Sequence, residues 1–377
     1  MLDEKTIHWA REMLKKIDIK LIAEITRLRD KIPYIPDDIT HLYEEDMGET
    51  EPVWWTNGFW AGILWQMYHA TGKDIYKNTA EANEKRLDRA FEIYTGLHHD
   101  VGFMWLHTAV ANYRLTKNER SKARGLHAAH LLAGRYNPRG QYIRSWNRDR
   151  AGWVIIDSML NIPLLYWAEK EIGDPRFRYI AEDHADKVMN NIVRADGSVN
   201  HIGVFDPTNG DLLETPAGQG YSSGSSWSRG QAWAIYGFAL SYLHTGEKKY
   251  LETAKKVAHY FISEVSKTDW ISVVDFRAPE KPIMIDTSAG LCAACGFLEI
   301  AKHVGKYEKK LYVEAAINIL KATEMKYTIW DSEKDGLIGY ATGSYHEEQW
   351  TEVPIIYGDY YFVEAILRIL NKDFLIW

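Results

Sequence analysis

Two aspartates stand in stretches too apolar and aromatic to be solvated surface. Asp100 lies in Leu97-His98-His99-Asp100-Val101-Gly102-Phe103-Met104-Trp105, and Asp157 follows Trp153-Val154-Ile155-Ile156 and precedes Ser158-Met159-Leu160. A buried carboxylate must be hydrogen-bonded, ion-paired or pushed toward its protonated form. The last of these is what a general acid needs near neutral pH.

A third group of reactive side chains is Ser226-Trp227-Ser228-Arg229-Gly230-Gln231-Ala232-Trp233. Ser228 is a candidate N-cap, and a helix N-terminus beside Arg229 favours an anion. Arg229 and Trp233 are four apart and share a helix face, which would set a guanidinium for a carboxylate beside a ring for a sugar. The alternative for Arg229 is an internal ion pair to Asp or Glu, with Trp227 and Trp233 as core. The residues alone leave both open. His201 and Gln219 precede this helix in a long loop and suit hydrogen bonding to hydroxyls, while Trp55 and Trp146 are loop aromatics, harder to assign to a core.

These residues need a frame, and the chain supplies a repeating one. Gly72, Tyr76 and Ala80 recur as Gly173, Phe177 and Ala181 and as Gly246, Tyr250 and Ala254, with a looser copy from Gly305 through Tyr312 to Ala316 and a degenerate one from Lys117 to Ala123. In each, a C-capping turn ends one helix and an inward stripe begins the next. Apolar periodicity predicts twelve helices, at about 5–31, 58–71, 75–95, 101–116, 119–135, 154–171, 175–194, 228–245, 247–266, 286–304, 307–328 and 354–371. One set is rich in Gly, Trp and Tyr and the other carries charge on one side, so the first reads as inner and the second as outer. Six such hairpins close into a double ring, a single all-α (α/α)6 barrel spanning residues 1–377; an open solenoid is the alternative. The long connections 32–57, 136–153, 195–227, 267–285 and 329–353 precede inner helices and should gather at one end as the active face. Short hairpins are expected there, for example at Trp270–Phe276.

Composition removes other classes. Net charge is −7 with Lys and Arg interspersed among acids, which argues against nucleic acid as a partner. No apolar run is long enough for a membrane span, and the acidic N-terminal segment lacks signal-peptide character. Two cysteines fit a reducing, cytoplasmic setting. No phosphate-binding Gly-Lys-Ser/Thr occurs, so no nucleotide cofactor is expected. His127/His130 and Cys292/Cys295 have metal-like spacing without further ligands, so no metal is expected either. Monomer and dimer remain equally open.

His98-His99-Asp100-Val101-Gly102-Phe103, Ile155-Ile156-Asp157 with Asn161 and Pro163-Leu164-Leu165, Trp227-x-Arg229-Gly230-Gln231-Ala232-Trp233, and Gly343-Ser344-Tyr345-His346 followed by Gly358-Asp359-Tyr360-Tyr361 together resemble the unsaturated glucuronyl hydrolases of glycoside hydrolase family 88. The resemblance spans about residues 54–371 and implies an (α/α)6 barrel that removes the 4,5-unsaturated uronic acid from the non-reducing end of lyase-generated oligosaccharides. It implies Asp157 as the general acid that protonates C4, and Asp100 as the second acid, holding the substrate and tuning Asp157 by like-charge proximity. Arg229 would take the uronate carboxylate. Trp55, Trp146, Trp227, Trp233 and Tyr345 would wall the subsite, with His99 in the acid motif and His201 and Gln219 near the reacting end. Two departures stand out: Asn57, where some members of that family carry Asp, and Glu347-Glu348, where a basic or Ser-rich loop would favour a sulfated sugar. The competing readings are a rhamnogalacturonyl hydrolase acting on pectin fragments and a non-catalytic sugar-binding barrel.

Overall fold

A computed structural model describes residues 2–377. Its principal helices are α1 (Glu4–Leu28), α2 (Phe59–Thr71), α3 (Asp74–Arg86), α4 (101–116), α5 (Glu119–Ala133), α6 (Pro163–Ile172), α7 (Arg176–Asn191), α8 (Ser228–Thr245), α9 (Lys248–Val265), α10 (Thr287–His303), α11 (Lys306–Tyr327) and α12 (Ile356–Ile369). These are the twelve expected helices, and they form the expected double ring. Every residue of α12, and Ser228–Ser241 of α8, is buried, whereas α9 buries one stripe and exposes the other face. The inner ring is therefore α2, α4, α6, α8, α10 and α12. It closes where α12 packs on α2.

The repeated turns do what their spacing implies. Gly72, Gly173 and Gly246 adopt φ of 70°, 70° and 76°, and each N–H closes on the carbonyl four residues back at 2.8 Å. Only glycine enters that left-handed region without a Cβ penalty. The aromatic and Ala after each turn, Tyr76 with Ala80 and Tyr250 with Ala254, are fully buried.

Two helices break within their expected spans: 75–95 divides at Leu87 into Asp74–Arg86 and a short helix, Asp88–Ile93. Residues 154–171 divide into a strand, a 3-10 turn (Ile156–Leu160) and α6, because Pro163 fixes the helix start and the β-branched Val154 and Ile155 pair with another strand. That sheet has three antiparallel strands, Trp153–Ile155, Ile202–Phe205 and Leu212–Glu214, with Ile155 opposite Ile202. The segment 270–276 forms isolated bridges rather than a hairpin: Trp227 pairs with Asp275 and Val273 with Ile285. Among the described residues, no helix is long and apolar enough to cross a membrane.

Candidate active site

Four of the five long connections, with the inner-helix starts, enclose a cavity of about 610 Å³. The fifth, 267–285, braces it from behind: Asp275 accepts from the Ser226 and Tyr221 N–H groups and from Ser225 Oγ. Asp100 and Asp157 both line the cavity, yet each residue is under one-tenth exposed. Sequence-distant acids thus share one aromatic-walled depression at the end of the ring.

Asp157 arrives there through the sheet. The Ile156 N–H donates to the His201 carbonyl at 3.0 Å, so strand pairing sets Asp157 beside His201, whose Nε2 lies 3.6 Å from Asp157 Oδ2. His201 Nδ1 accepts from the Gln219 N–H at 2.9 Å, which assigns the ring proton to Nε2, facing the acid. Beneath, His184 Nδ1 accepts from the Ile143 N–H, so its Nε2–H points to Ser158 Oγ at 2.7 Å, and that hydroxyl donates to the Ile155 carbonyl. The turn carrying Asp157 is pinned from both sides. Asp157 Oδ2 itself has no hydrogen-bond partner among the described residues.

Asp100 is held instead. Asn161 Nδ2 donates to Asp100 Oδ1 at 3.1 Å and to the Asp157 carbonyl at 3.2 Å, while Asn161 Oδ1 accepts from the Phe103 N–H at 2.8 Å. His98 Nδ1 approaches Asp100 Oδ2 at 2.9 Å and His99 Nε2 approaches Oδ1 at 3.4 Å. Burial acts to raise the Asp100 carboxyl, but His99, His98 and the Asn161 amide outweigh it and hold it below the ordinary carboxylate value. For His99, burial wins over the pull of Asp100 and pushes the imidazole down to about 4. At neutral pH Asp100 is therefore a carboxylate beside a neutral His99 ring. His98, His99 and Asp100 bring ligand-type atoms within 4.8 Å of one another, so a divalent cation would find its donor types here, although His99 is sealed from the cavity.

Trp55, Trp146, Trp227, His201, Gln219 and Arg229 line the cavity as expected. Trp55 stacks on Tyr357 at 5.2 Å, and Trp227 lies over His201 at 4.4 Å. Three expected substrate-binding residues do not. Trp233 is wholly buried behind Trp55 and Phe103, because its helical face turns toward the ring core. His99 is wholly buried behind Asp100. Tyr345 turns away to pack on Tyr221 at 5.0 Å, though its N–H secures the Gln219 carbonyl at 2.9 Å. Ser228 is not the cap: Trp227 holds that position, and the Ser228 N–H donates to the Val274 carbonyl. Asn57 is buried too, and its amide ties the Glu51 and Pro52 carbonyls rather than facing a ligand.

Arg229 makes the internal ion pair. Nη1 donates to Asp286 Oδ2 at 2.7 Å and to the Thr342 carbonyl, and Nη2 donates to the Gly343 carbonyl, both at 2.6 Å. Asp286 in turn caps α10 through the Ser288 N–H. This ties α8, α10 and the 342–343 segment together while the guanidinium edge stays on the cavity wall, leaving one Nη2 proton and Nε–H uncommitted.

Sequence reasoning placed Asn161 in the Asp157 motif without a role, and missed Gly218, whose φ of 61° and contact with His201 leave no room for a side chain. It also passed over His98, Tyr34, Trp54, Arg150, Trp153, Trp350 and Tyr357 as wall residues.

Residues 30–372 match the model of Glycosyl Hydrolase Family 88. The chain belongs to that family. It is 37% identical over 363 residues to the unsaturated glucuronyl hydrolase of Bacillus sp. (strain GL1), covering 92% of both chains. It is 36% identical to the unsaturated chondroitin disaccharide hydrolase of Streptococcus pyogenes serotype M1, covering 95% of this chain and 92% of that one. The crystal structure of unsaturated glucuronyl hydrolase from Streptococcus agalactiae superposes with a TM-score of 0.90 at 30% identity, covering 100% of this chain and 95% of the other. As in that family, the ring is an (α/α)6 barrel.

Proposed function

We propose that this glycoside hydrolase removes the 4,5-unsaturated uronic acid from the non-reducing end of lyase-generated oligosaccharides, glycosaminoglycan disaccharides foremost. The observation that carries the reading is the unequal treatment of two acids in one aromatic-walled cavity: Asp100 is fixed by Asn161, while among the described residues neither oxygen of the Asp157 carboxylate accepts a hydrogen bond, and the His201 Nε2–H stands 3.6 Å from its Oδ2. A proton carrier needs an oxygen that is not already spent, and a positioning acid needs the reverse.

Asp157, protonated, delivers its proton to C4 of the enol ether, and positive charge develops at C5. Water adds at C5 and returns a proton to the Asp157 carboxylate. The C5 hemiketal then opens at the C5–O5 bond, which leaves a hemiacetal at C1, and that hemiacetal collapses to the aldehyde and releases the saturated remainder as an alcohol. No glycosyl-enzyme bond forms, so the spacing rule for retaining and inverting pairs does not govern this reaction. Asp100 holds the substrate hydroxyls, and the uncommitted edge of Arg229 faces the uronate carboxylate. Trp55, Trp146 and Trp227 supply ring faces for the sugars.

Loss of ultraviolet absorbance from the conjugated double bond tests this, on unsaturated disaccharides from hyaluronan, chondroitin, heparin and rhamnogalacturonan. Absorbance should fall on the glycosaminoglycan products. If only the rhamnogalacturonan product loses absorbance, the pectin reading replaces this one; if none does, hydrolysis itself is wrong.

A further inference from the structure

The cavity wall carries two arginines, and they are in opposite states. Arg229 is buried and largely committed to Asp286 and two carbonyls. Arg150 is exposed at the cavity mouth, and among the described residues its side chain makes no hydrogen bond and no ion pair. Yet it is not loose: its guanidinium carbon lies 4.8 Å from the Trp146 ring and 4.8 Å from the Trp153 ring, and those rings are 5.7 Å apart. Two cation–π contacts bias the side chain's placement while leaving its five N–H donors unspent.

The rest of the wall sharpens what those donors can take. Its carboxylates are Asp100 and Asp157 at the buried end and Glu347 on the 343–350 segment. None pairs with Arg150, so the mouth presents a preplaced fork for a planar or tetrahedral anion brought by a ligand. The reacting uronate belongs at the buried acids, which leaves Arg150 facing the sugars attached to it.

From this, and resting on the hydrolase function, we propose that Arg150, held on Trp146 and Trp153, binds an anionic group on the leaving portion of the substrate and thereby sets specificity for charged over neutral leaving sugars. Two chemical sources offer such a group: a sulfate ester on the second sugar, or the carboxylate of a third.

The test compares kcat/KM of wild type, Arg150→Ala and Arg150→Lys on three substrates: unsulfated unsaturated chondroitin disaccharide, its 4-sulfated form, and the unsulfated tetrasaccharide. Arg150→Ala should weaken all three by up to about threefold, since two tryptophans lose their brace. On the substrate whose anion Arg150 binds, it should lose about tenfold more, through KM, with Arg150→Lys between the two because it keeps charge but not the fork. Extra loss confined to the 4-sulfated disaccharide assigns the sulfate, and extra loss confined to the tetrasaccharide assigns the carboxylate. Equal losses on all three, or none on any, overturn the proposal, as does wild-type turnover of the unsulfated disaccharide alone. A wild type inactive on every unsaturated substrate would instead sink the proposed function on which this rests.

Discussion

One amide of Asn161 spans both acids: its Nδ2 donates to Asp100 Oδ1 at 3.1 Å and to the backbone carbonyl of Asp157 at 3.2 Å. Asn161→Ala would leave a buried carboxylate short of a donor, at a cost of about 1–3 kcal/mol. We expect a lower melting temperature and a kcat reduced at least tenfold, with KM changed less. An unaltered kcat would show that Asp100 does not need this tether.

The division of labour between the acids predicts different defects. Asp157→Asn keeps the shape but removes the proton carrier, so turnover should fall by at least about a thousandfold, as for loss of a general acid, while calorimetry still detects substrate binding. Asp100→Asn should weaken binding as well, because its oxygens hold the substrate. Retained turnover in Asp157→Asn would return the role to another group and revive the non-catalytic sugar-binding reading.

Gly218 and His201 are packed without slack. A Cβ at Gly218 would sit 2.0 Å from His201 Nδ1, at a φ of 61° that side chains rarely adopt. Gly218→Ala should therefore displace the imidazole from Asp157, cutting activity at least tenfold while the circular-dichroism spectrum of the helical ring is preserved. Full activity in this variant would mean that His201 is not held by the Gln219 N–H.

Glu347 places a negative charge on the cavity wall. Activity on 6-sulfated unsaturated chondroitin disaccharide should be weak relative to the unsulfated one, and Glu347→Gln should narrow the difference. Equal wild-type rates on the two substrates would remove Glu347 as the discriminating group.

Burial holds His99 down to about 4, and His107, His184 and His244 down to about 3, against an ordinary value of 6.5. The folded chain thus binds fewer protons than the unfolded one below pH 6.5. Stability is fully present above that value and is lost as pH falls toward 4, each ring subtracting up to about 1.4 kcal/mol per pH unit. Urea midpoints should drop steeply between pH 6 and 4. A flat midpoint there would contradict neutral, buried histidines.

The helical ring was legible because its signals are local. A glycine that must adopt positive φ, an aromatic four residues on and an alanine a turn later repeat in sequence whatever the rest of the chain does, and they mark Gly72, Gly173 and Gly246 as they stand in the fold. Asp100 and Asp157 were legible for a related reason: a charge inside an apolar run has no cheap local explanation. What those acids touch was not. Asn161 looks like any helix-preceding Asn until 163–172 and 101–116 pack side by side, and Trp233 looks like a sugar platform until the ring turns its face inward. Arg229 carried two readings that only the position of Asp286, 57 residues away, could separate. Sequence alone determined the periodicity that builds the barrel and the residue types able to do acid chemistry, since both are properties of neighbours along the chain. Tertiary structure alone decided which oxygen is spent and which is unpartnered, because hydrogen-bond partners and burial are set by segments far apart in sequence.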